Sequence, residues 1–329
     1  MPVWISRVGH HVPGRVVDNE SIIRASSLKM RASWVEKFIG IRERRWVEGE
    51  STSDLGARAV ESLGRDCLDA FDGALFLATV SPDHLTPSTA IAMKKKLGLG
   101  GRRPAIDVNA ACAGHLFALE LAIGRLETTE EREALVVSAE IRSRFLDPLD
   151  RRTVFLFGDG AAAMLVSRDP DPPGRIEWVE TGSAPSDEME ILVPAGGAVR
   201  PLSEEVLRER AQYIRMNDGP KIVEQTTQLL VSEIRACLAA RRTSVDDYDF
   251  FVFHQGSGAI SRKICESLGV APDKTWSNFD VFGNTSSASL GIALSDAHGR
   301  GLVRKGDRVL LVAMGAGYHF GMASVVWGL

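Results

Sequence analysis

The chain has 329 residues, 44% of them hydrophobic, and a formal net charge of −4; it is long enough for a large core, in two domains or one large α/β unit, and it lacks the global basic field that nucleic acid would require. Its four cysteines, Cys67, Cys112, Cys237 and Cys265, are far apart, which excludes a Cys-x-x-Cys metal or redox pair and points to free thiols in a reducing compartment. No apolar run approaches membrane-spanning length, and Met1–His10 has no basic start followed by a long apolar run, so the expectation is a cytoplasmic protein with no membrane partner.

In chain order, Val3–Val8 reads as a first strand, and Asn19–Met30 and Ser33–Gly40 as helices, the second closed by its glycine. Arg42, Arg44 and Arg45 form a basic cluster, as do Lys94–Lys96. Both read as solvated faces, with a phosphate-bearing ligand or an acidic partner as the alternative. A helix capped by Ser53 or Asp54 is expected to run to about Ala70, because Leu55, Ala59, Leu63 and Cys67 recur at helical spacing. Ala74–Val80 is an apolar strand buried on both faces, and Ser88–Leu97 a helix. Ala105–Val108 is then a buried strand that turns sharply at Cys112 into a buried helix. Ala134–Ala139 is a strand, and Thr153–Phe157 with Ala161–Ser167 reads as a strand pair around the structural turn Gly158-Asp159-Gly160.

Asp169–Gly174 is the clearest punctuation, and divides the chain into 1–168 and 169–329. The second part continues with a strand at Arg175–Thr181, a loop or hairpin at Ser183–Pro201 and helices at Ser203–Arg215 and Pro220–Arg241. A buried strand at Asp249–Phe253 and helices at Ala259–Leu268 and Ser286–His298 follow. It closes with strands at Arg308–Ala313 and Gly321–Trp327. Both parts alternate strands with helices and end on a strand pair, which predicts a mostly parallel sheet in each, with helices on both faces.

Four features carry possible chemistry. Cys112 lies among Ala110, Ala111, Ala113 and Gly114, so other segments can approach its sulfur, and a thiol at a helix N-terminus is expected to favour thiolate. A buried cysteine is as readily a packing residue. His254 ends an apolar strand before a glycine-rich turn, where α/β sheets place ligand contacts; the alternative is a structural histidine. Asn284 lies in a small-residue turn before a helix, as either a functional amide or a turn residue. Gly315-Ala316-Gly317 is a tight turn, or a source of backbone N–H groups for an oxyanion. There is no Gly-x-Gly-x-x-Gly, P-loop or Gly-x-Ser-x-Gly, and the other histidines show no metal-ligand spacing.

Together, Asp107-Val-Asn-Ala-Ala-Cys112-Ala-Gly114, Phe253-His254-Gln255-Gly256, Gly283-Asn284-Thr-Ser-Ser-Ala-Ser289 and the Gly-x-Gly ending resemble β-ketoacyl-acyl-carrier-protein synthase III, of the thiolase superfamily. Trp34 with Gly40–Arg44, Pro87-Ser88 and Phe157–Ala161 extend the resemblance over nearly the whole chain. The resemblance implies a homodimer of the αβαβα five-layer thiolase fold, built from two similar halves. It implies Cys112 as the nucleophile that takes an acyl group from an acyl-CoA or acyl carrier protein, with His254 and Asn284 promoting decarboxylation of a malonyl thioester. The backbone N–H groups of Cys112 and Ala316 match the oxyanion hole, and no metal or other cofactor is implied.

The substrate-contacting positions depart from the family pattern. The family's His-Gln-Ala-Asn, with an arginine two residues on, is here His254-Gln255-Gly256-Ser257 followed by Ala259; Arg262 is a possible substitute. Trp34 matches the residue that stacks on the adenine of CoA, and Arg151 keeps the other contact, but Phe38 and Ile39 replace an Arg and a Thr. Thr86 stands where a bulky Phe often closes the acyl pocket, implying room for a longer, branched or functionalised chain. The departures point to a specialised or secondary-metabolic relative. An acyltransferase acting on a hydroxyl, amine or thiol, and head-to-head joining of two acyl chains, are the alternative activities.

Overall fold

The computed structural model describes residues 2–26, 28–69, 71–169, 174–184 and 190–329. Its strands are β1 (Val3–His11), β2 (Val16–Asp18), β3 (Glu43–Arg45), β4 (Ala74–Ala78), β5 (Ala105–Val108), β6 (Glu133–Glu140), β7 (Gly160–Ser167), β8 (Gly174–Ser183), β9 (Ile191–Leu192), β10 (Arg215–Met216), β11 (Phe250–Phe253), β12 (Arg308–Gly315) and β13 (His319–Val326). The helices are α1 (Asn19–Ala25), α2 (Ala32–Phe38), α3 (Thr52–Glu61), α4 (Arg65–Asp69), α5 (Thr89–Lys96), α6 (Gly114–Thr128), α7 (Glu204–Arg208), α8 (Gly219–Ala240), α9 (Gly258–Leu268), α10 (Phe279–Phe282) and α11 (Ala288–Gly299). Among the described residues, no helix is long and apolar enough to cross a membrane.

The layering follows from period-2 alternation on strands buried on both faces. Leu75 and Leu77 of β4, with Leu135 and Val137 of β6, pack outward on Leu55 and Val60 of α3 and Met93 of α5. Phe76 and Val136, one residue out of step, pack inward with Leu116 and Leu119 of α6. In the second half, Val252 and Leu311 join that inner core with Leu290 and Leu294 of α11. Phe251, Phe253, Leu310 and Val312 face outward against Leu230 and Ile234 of α8 and Ile264 of α9. The result is five layers, α3/α5, sheet, α6/α11, sheet, α8/α9, as the thiolase-like resemblance implied.

The halves repeat one topology. β1 pairs antiparallel with β7, β7 antiparallel with β6, and β6 parallel with β4. β8, β13, β12 and β11 repeat that sequence of pairings. β5 lies parallel on β4, and its counterpart in the second half is a single parallel bridge from Phe251 to Thr275. β1 and β8 join through Val3–Ile5, which makes one nine-stranded ladder in the order β11-β12-β13-β8-β1-β7-β6-β4-β5.

Several expectations are corrected. The sheet is mixed rather than mostly parallel, because closing strands β7 and β13 run antiparallel to both neighbours. β5 is the sheet's edge, with Ile106 43% exposed, not a fully buried strand. Thr153–Phe157 forms turns on Asp150 and Thr153 carbonyls instead of a strand. The expected 53–70 helix starts at a Ser51 cap, with Asp54 completing the capping box, and stops at Glu61. Gly64, at φ +104°, then turns the chain into the separate α4. Helix α1 ends at Ala25, and only Glu204–Arg208 of the expected Ser203–Arg215 helix is helical. Arg44 is not on a solvated face: it is fully buried and donates to the Val17 and Phe155 carbonyls. Of the Asp169–Gly174 boundary, residues 170–173 lie outside the described residues, and Gly174 opens β8.

Candidate active site

The two inner helices bring their N-terminal ends together, and each is preceded by a strained small-residue turn. Before α6, Asp107 of β5 anchors the approach by accepting from Thr89 N and Ala90 N at 2.7 and 2.8 Å, so it also caps α5. Ala111 sits at φ +46°, a conformation L-residues adopt at a cost. It opens the short 3₁₀ turn Ala111–Ala113 that carries Cys112 into α6. Gly315 of β12 closes over this turn: a Cβ there would sit 2.7 Å from Cys112 N and 2.8 Å from Ala110 O. Ala316 follows Gly315 in the β12–β13 turn.

The Cys112 thiol lies 3.6 Å from the Ser286 hydroxyl. Although part of the residue is reachable by solvent, burial pushes the thiol up to about 11, against the lowering effect of the Ser286 contact. Desolvation therefore acts against the expected thiolate and favours the neutral thiol. Alkylation of Cys112 by iodoacetamide, followed by peptide mass spectrometry, is therefore expected to be slow at pH 7 and to keep accelerating well above pH 9. A rate that levels off near neutrality would contradict this protonation state.

The turn before α11 supplies the facing wall. Asn284 Oδ1 accepts from Ser286 N at 2.8 Å, which fixes the amide's direction and leaves Nδ2 as a free donor. The backbone of Asn284 is clamped on both sides, donating to Leu156 O and accepting from Gly158 N. Ser286 itself has φ +52°. Ser287 then donates to Glu140, a fully buried carboxyl at the end of β6 that also accepts from Ser81 Oγ and Val80 N. Asp159, in the Gly158–Gly160 turn, is structural as read: buried, it accepts from Val47 N, Ser143 N and Ser143 Oγ.

His254 follows β11 directly and donates its backbone N–H to Val312 O of β12, three residues before Gly315. Its Nδ1 lies 2.5 Å from Ser289 Oγ, on the first turn of α11. Burial lowers the imidazole to about 4, so it is neutral at physiological pH. Cys112, Asn284 and His254 are thus tied to one short stretch, Ser286–Ser289. Ser286, Ser287, Ser289 and Glu140 were not singled out from the sequence, although the run Thr285-Ser-Ser-Ala-Ser289 was their visible signal.

The proposed substrate contacts lie farther out. Trp34 and Phe38 form a surface pair on α2, ring centroids 4.9 Å apart, 46% and 61% exposed. Ser257 and Ala259 flank the start of α9. Gly40 after α2 and Gly258 at the head of α9 both approach the Phe279 ring of α10. Arg42 beside them is held by Asp280 at 2.8 Å. Arg151 is exposed on a separate turn, and Thr86 on the exposed loop before α5. Nothing places either against Cys112. Among the described residues, no group of three His, Cys, Asp or Glu is arranged to hold a metal.

Family models for 3-oxoacyl-[acyl-carrier-protein] synthase III match residues 106–185, and those for its C-terminal part match 238–327. The chain is 36% identical to β-ketoacyl-[acyl-carrier-protein] synthase III of Aliarcobacter butzleri over 323 residues, covering 96% of this chain and 95% of that one. Among solved structures, the Thermus thermophilus β-ketoacyl-[acyl-carrier-protein] synthase III is 31% identical at a TM-score of 0.87, covering 99% of both chains. The priming β-ketosynthase of the R1128 polyketide biosynthetic pathway is 27% identical, also at 0.87, covering 99% of this chain and 96% of that one. With the cysteine, histidine and asparagine turns gathered at the ends of its two inner helices, the chain belongs to the 3-oxoacyl-[acyl-carrier-protein] synthase III family.

Proposed function

We propose that this protein is a condensing enzyme that joins an acyl group held on Cys112 to the two-carbon enolate of a malonyl thioester. The observation that carries the reading is that, among the described residues, Asn284 Nδ2 and His254 Nε2 have no partner, while Ser286 N and Ser289 Oγ hold the other side of each group. The first step exchanges thioesters: Cys112 sulfur bonds to the acyl carbon, the donor's carbon–sulfur bond breaks, and the thiol proton leaves on the departing CoA or carrier thiol. In the second, the malonyl carboxylate departs as carbon dioxide, and the enolate oxygen accepts from His254 and Asn284. The enolate carbon then attacks the acyl carbon, and the bond to Cys112 breaks, returning its sulfur as thiolate to take up a proton. The backbone N–H groups of Cys112 and Ala316 stabilise the tetrahedral oxyanion.

The thioester and the loss of carbon dioxide supply the driving force, so no metal or redox cofactor takes part. An acyl-CoA or an acyl carrier protein delivers the substrates, and the working unit is a homodimer. Phe38, Ser257, Ala259 and Thr86, where the family typically has other residues, support a specialised or secondary-metabolic acyl substrate.

Intact-mass analysis after incubation with a panel of acyl-CoAs tests the first step: wild type is expected to gain one acyl mass and Cys112→Ala none. Asn284→Ala is expected to keep the adduct but release carbon dioxide from malonyl-carrier protein about a hundredfold more slowly. An adduct that transfers to an alcohol or amine, with no carbon dioxide released by wild type, would replace condensation with simple acyl transfer.

A further inference from the structure

Ser289 and Gly256 meet on opposite sides of the His254 ring. The Ser289 hydroxyl oxygen accepts the backbone N–H of Gln255 at 3.1 Å. That donor is unambiguous, because an amide nitrogen has only its hydrogen to offer. His254 Nδ1 lies 2.5 Å from the same oxygen, within reach of the hydroxyl's own hydrogen. An Nδ1 that accepts that hydrogen carries none itself, and the neutral ring then has its proton on Nε2. Nε2 has no protein partner among the described residues.

On its other edge, the ring lies against Gly256, where a built Cβ would overlap His254 Nε2 and lie 2.8 Å from Cδ2. Around it, Gln255 is immobile: its Nε2 donates to Phe253 O at 2.7 Å, and its Oε1 accepts from Ser277 Oγ at 2.7 Å. The backbone N–H that orients Ser289 is accordingly fixed on both sides.

We propose that Ser289 is a positioning residue that holds His254 in its Nε2–H tautomer. The consequence for catalysis rests on the condensing role proposed above, whereas the tautomer does not. An Nε2–H ring donates to an enolate oxygen; an Nδ1–H ring presents a lone pair there and repels it. Loss of the Ser289 hydroxyl frees Nδ1 to carry the proton.

The direct test is nitrogen-15 NMR on histidine-labelled full-length protein at pH 7.5, with the His254 signals identified by their loss in His254→Gln. Wild type is expected to show the Nε2–H pattern. Ser289→Ala is expected to shift His254 toward the Nδ1–H pattern or an average of the two, while Ser289→Thr, which keeps a hydroxyl, restores it. An Nδ1–H pattern in wild type, or a wild-type pattern in Ser289→Ala, overturns the proposal. Carbon dioxide release from malonyl-carrier protein is measured on the same samples. Ser289→Ala is expected to lower kcat at least about tenfold with little change in KM, with recovery in Ser289→Thr. Unchanged kcat in a Ser289→Ala protein whose tautomer has shifted removes the positioning role. No release by wild type instead refutes the condensing function and leaves the tautomer to be decided by the spectra.

Discussion

Replacing Gly315 with alanine is expected to slow acylation of Cys112 about a hundredfold while leaving a folded protein. The new Cβ would meet two backbone atoms of the nucleophile turn, Cys112 N at 2.7 Å and Ala110 O at 2.8 Å, and the Ala111 Cβ at 3.0 Å. Backbone cannot swing aside as a long side chain can, and Ala111 is already at positive φ, so the turn and β12 must part. Overpacking of this kind costs about 1–3 kcal/mol of stability. The functional loss is larger, because a displacement of about 1 Å at a reacting group costs on the order of a hundredfold in rate. The measurement is the rate of acyl-adduct formation by intact mass, with Gly124→Ala as control. Gly124 lies on the same helix with nothing within 4 Å of its missing Cβ, and alanine there is expected to stabilise by about 0.5–1 kcal/mol. Wild-type acylation in Gly315→Ala would show that β12 does not press on the nucleophile turn.

Glu140→Ala is expected to have the largest effect on stability. The carboxyl is fully buried and gathers Ser81 Oγ and Ser287 Oγ, each at 2.7 Å, with Val80 N at 3.3 Å. It links the first-half strands to the turn that carries Asn284 and Ser286. Truncation strands a buried backbone N–H and opens a cavity, for a loss of about 3 kcal/mol or more and a fall of several degrees in Tm. Glu140→Gln keeps the shape and one acceptor and is expected to lose less. Calorimetry of the three proteins decides the matter, and equal Tm in Glu140→Ala would mean that the halves are held together elsewhere.

The sequence was informative where local pattern is enough. The strands read at Ala74–Val80 and Ala134–Ala139 announce themselves by largely apolar runs, and Cys112 stands out because its neighbours are all small. What it hid depends on distant partners. Nothing in Ala105–Val108 distinguishes an edge from a central strand, since its apolar residues serve either. Arg44 resembles its neighbours Arg42 and Arg45, yet two carbonyls from remote segments bury it. The protonation of Cys112 was misread for the same reason: the helix end is local and visible, while the protein packed around the sulfur is not. The serines were legible as small turn residues, but their task of aiming Asn284 and His254 appears only when α11 docks.

The position of β13 has a consequence for how the site is assembled. It follows the other strands of the sheet in the chain, yet it inserts between β12 and β8, pairing with both over most of its length. Until it pairs, β12 has one neighbour and the Gly315 turn has no return strand to hold it against Cys112. Order along the chain and order in the sheet run opposite here, so the surroundings of Cys112 are completed only when β13 has docked.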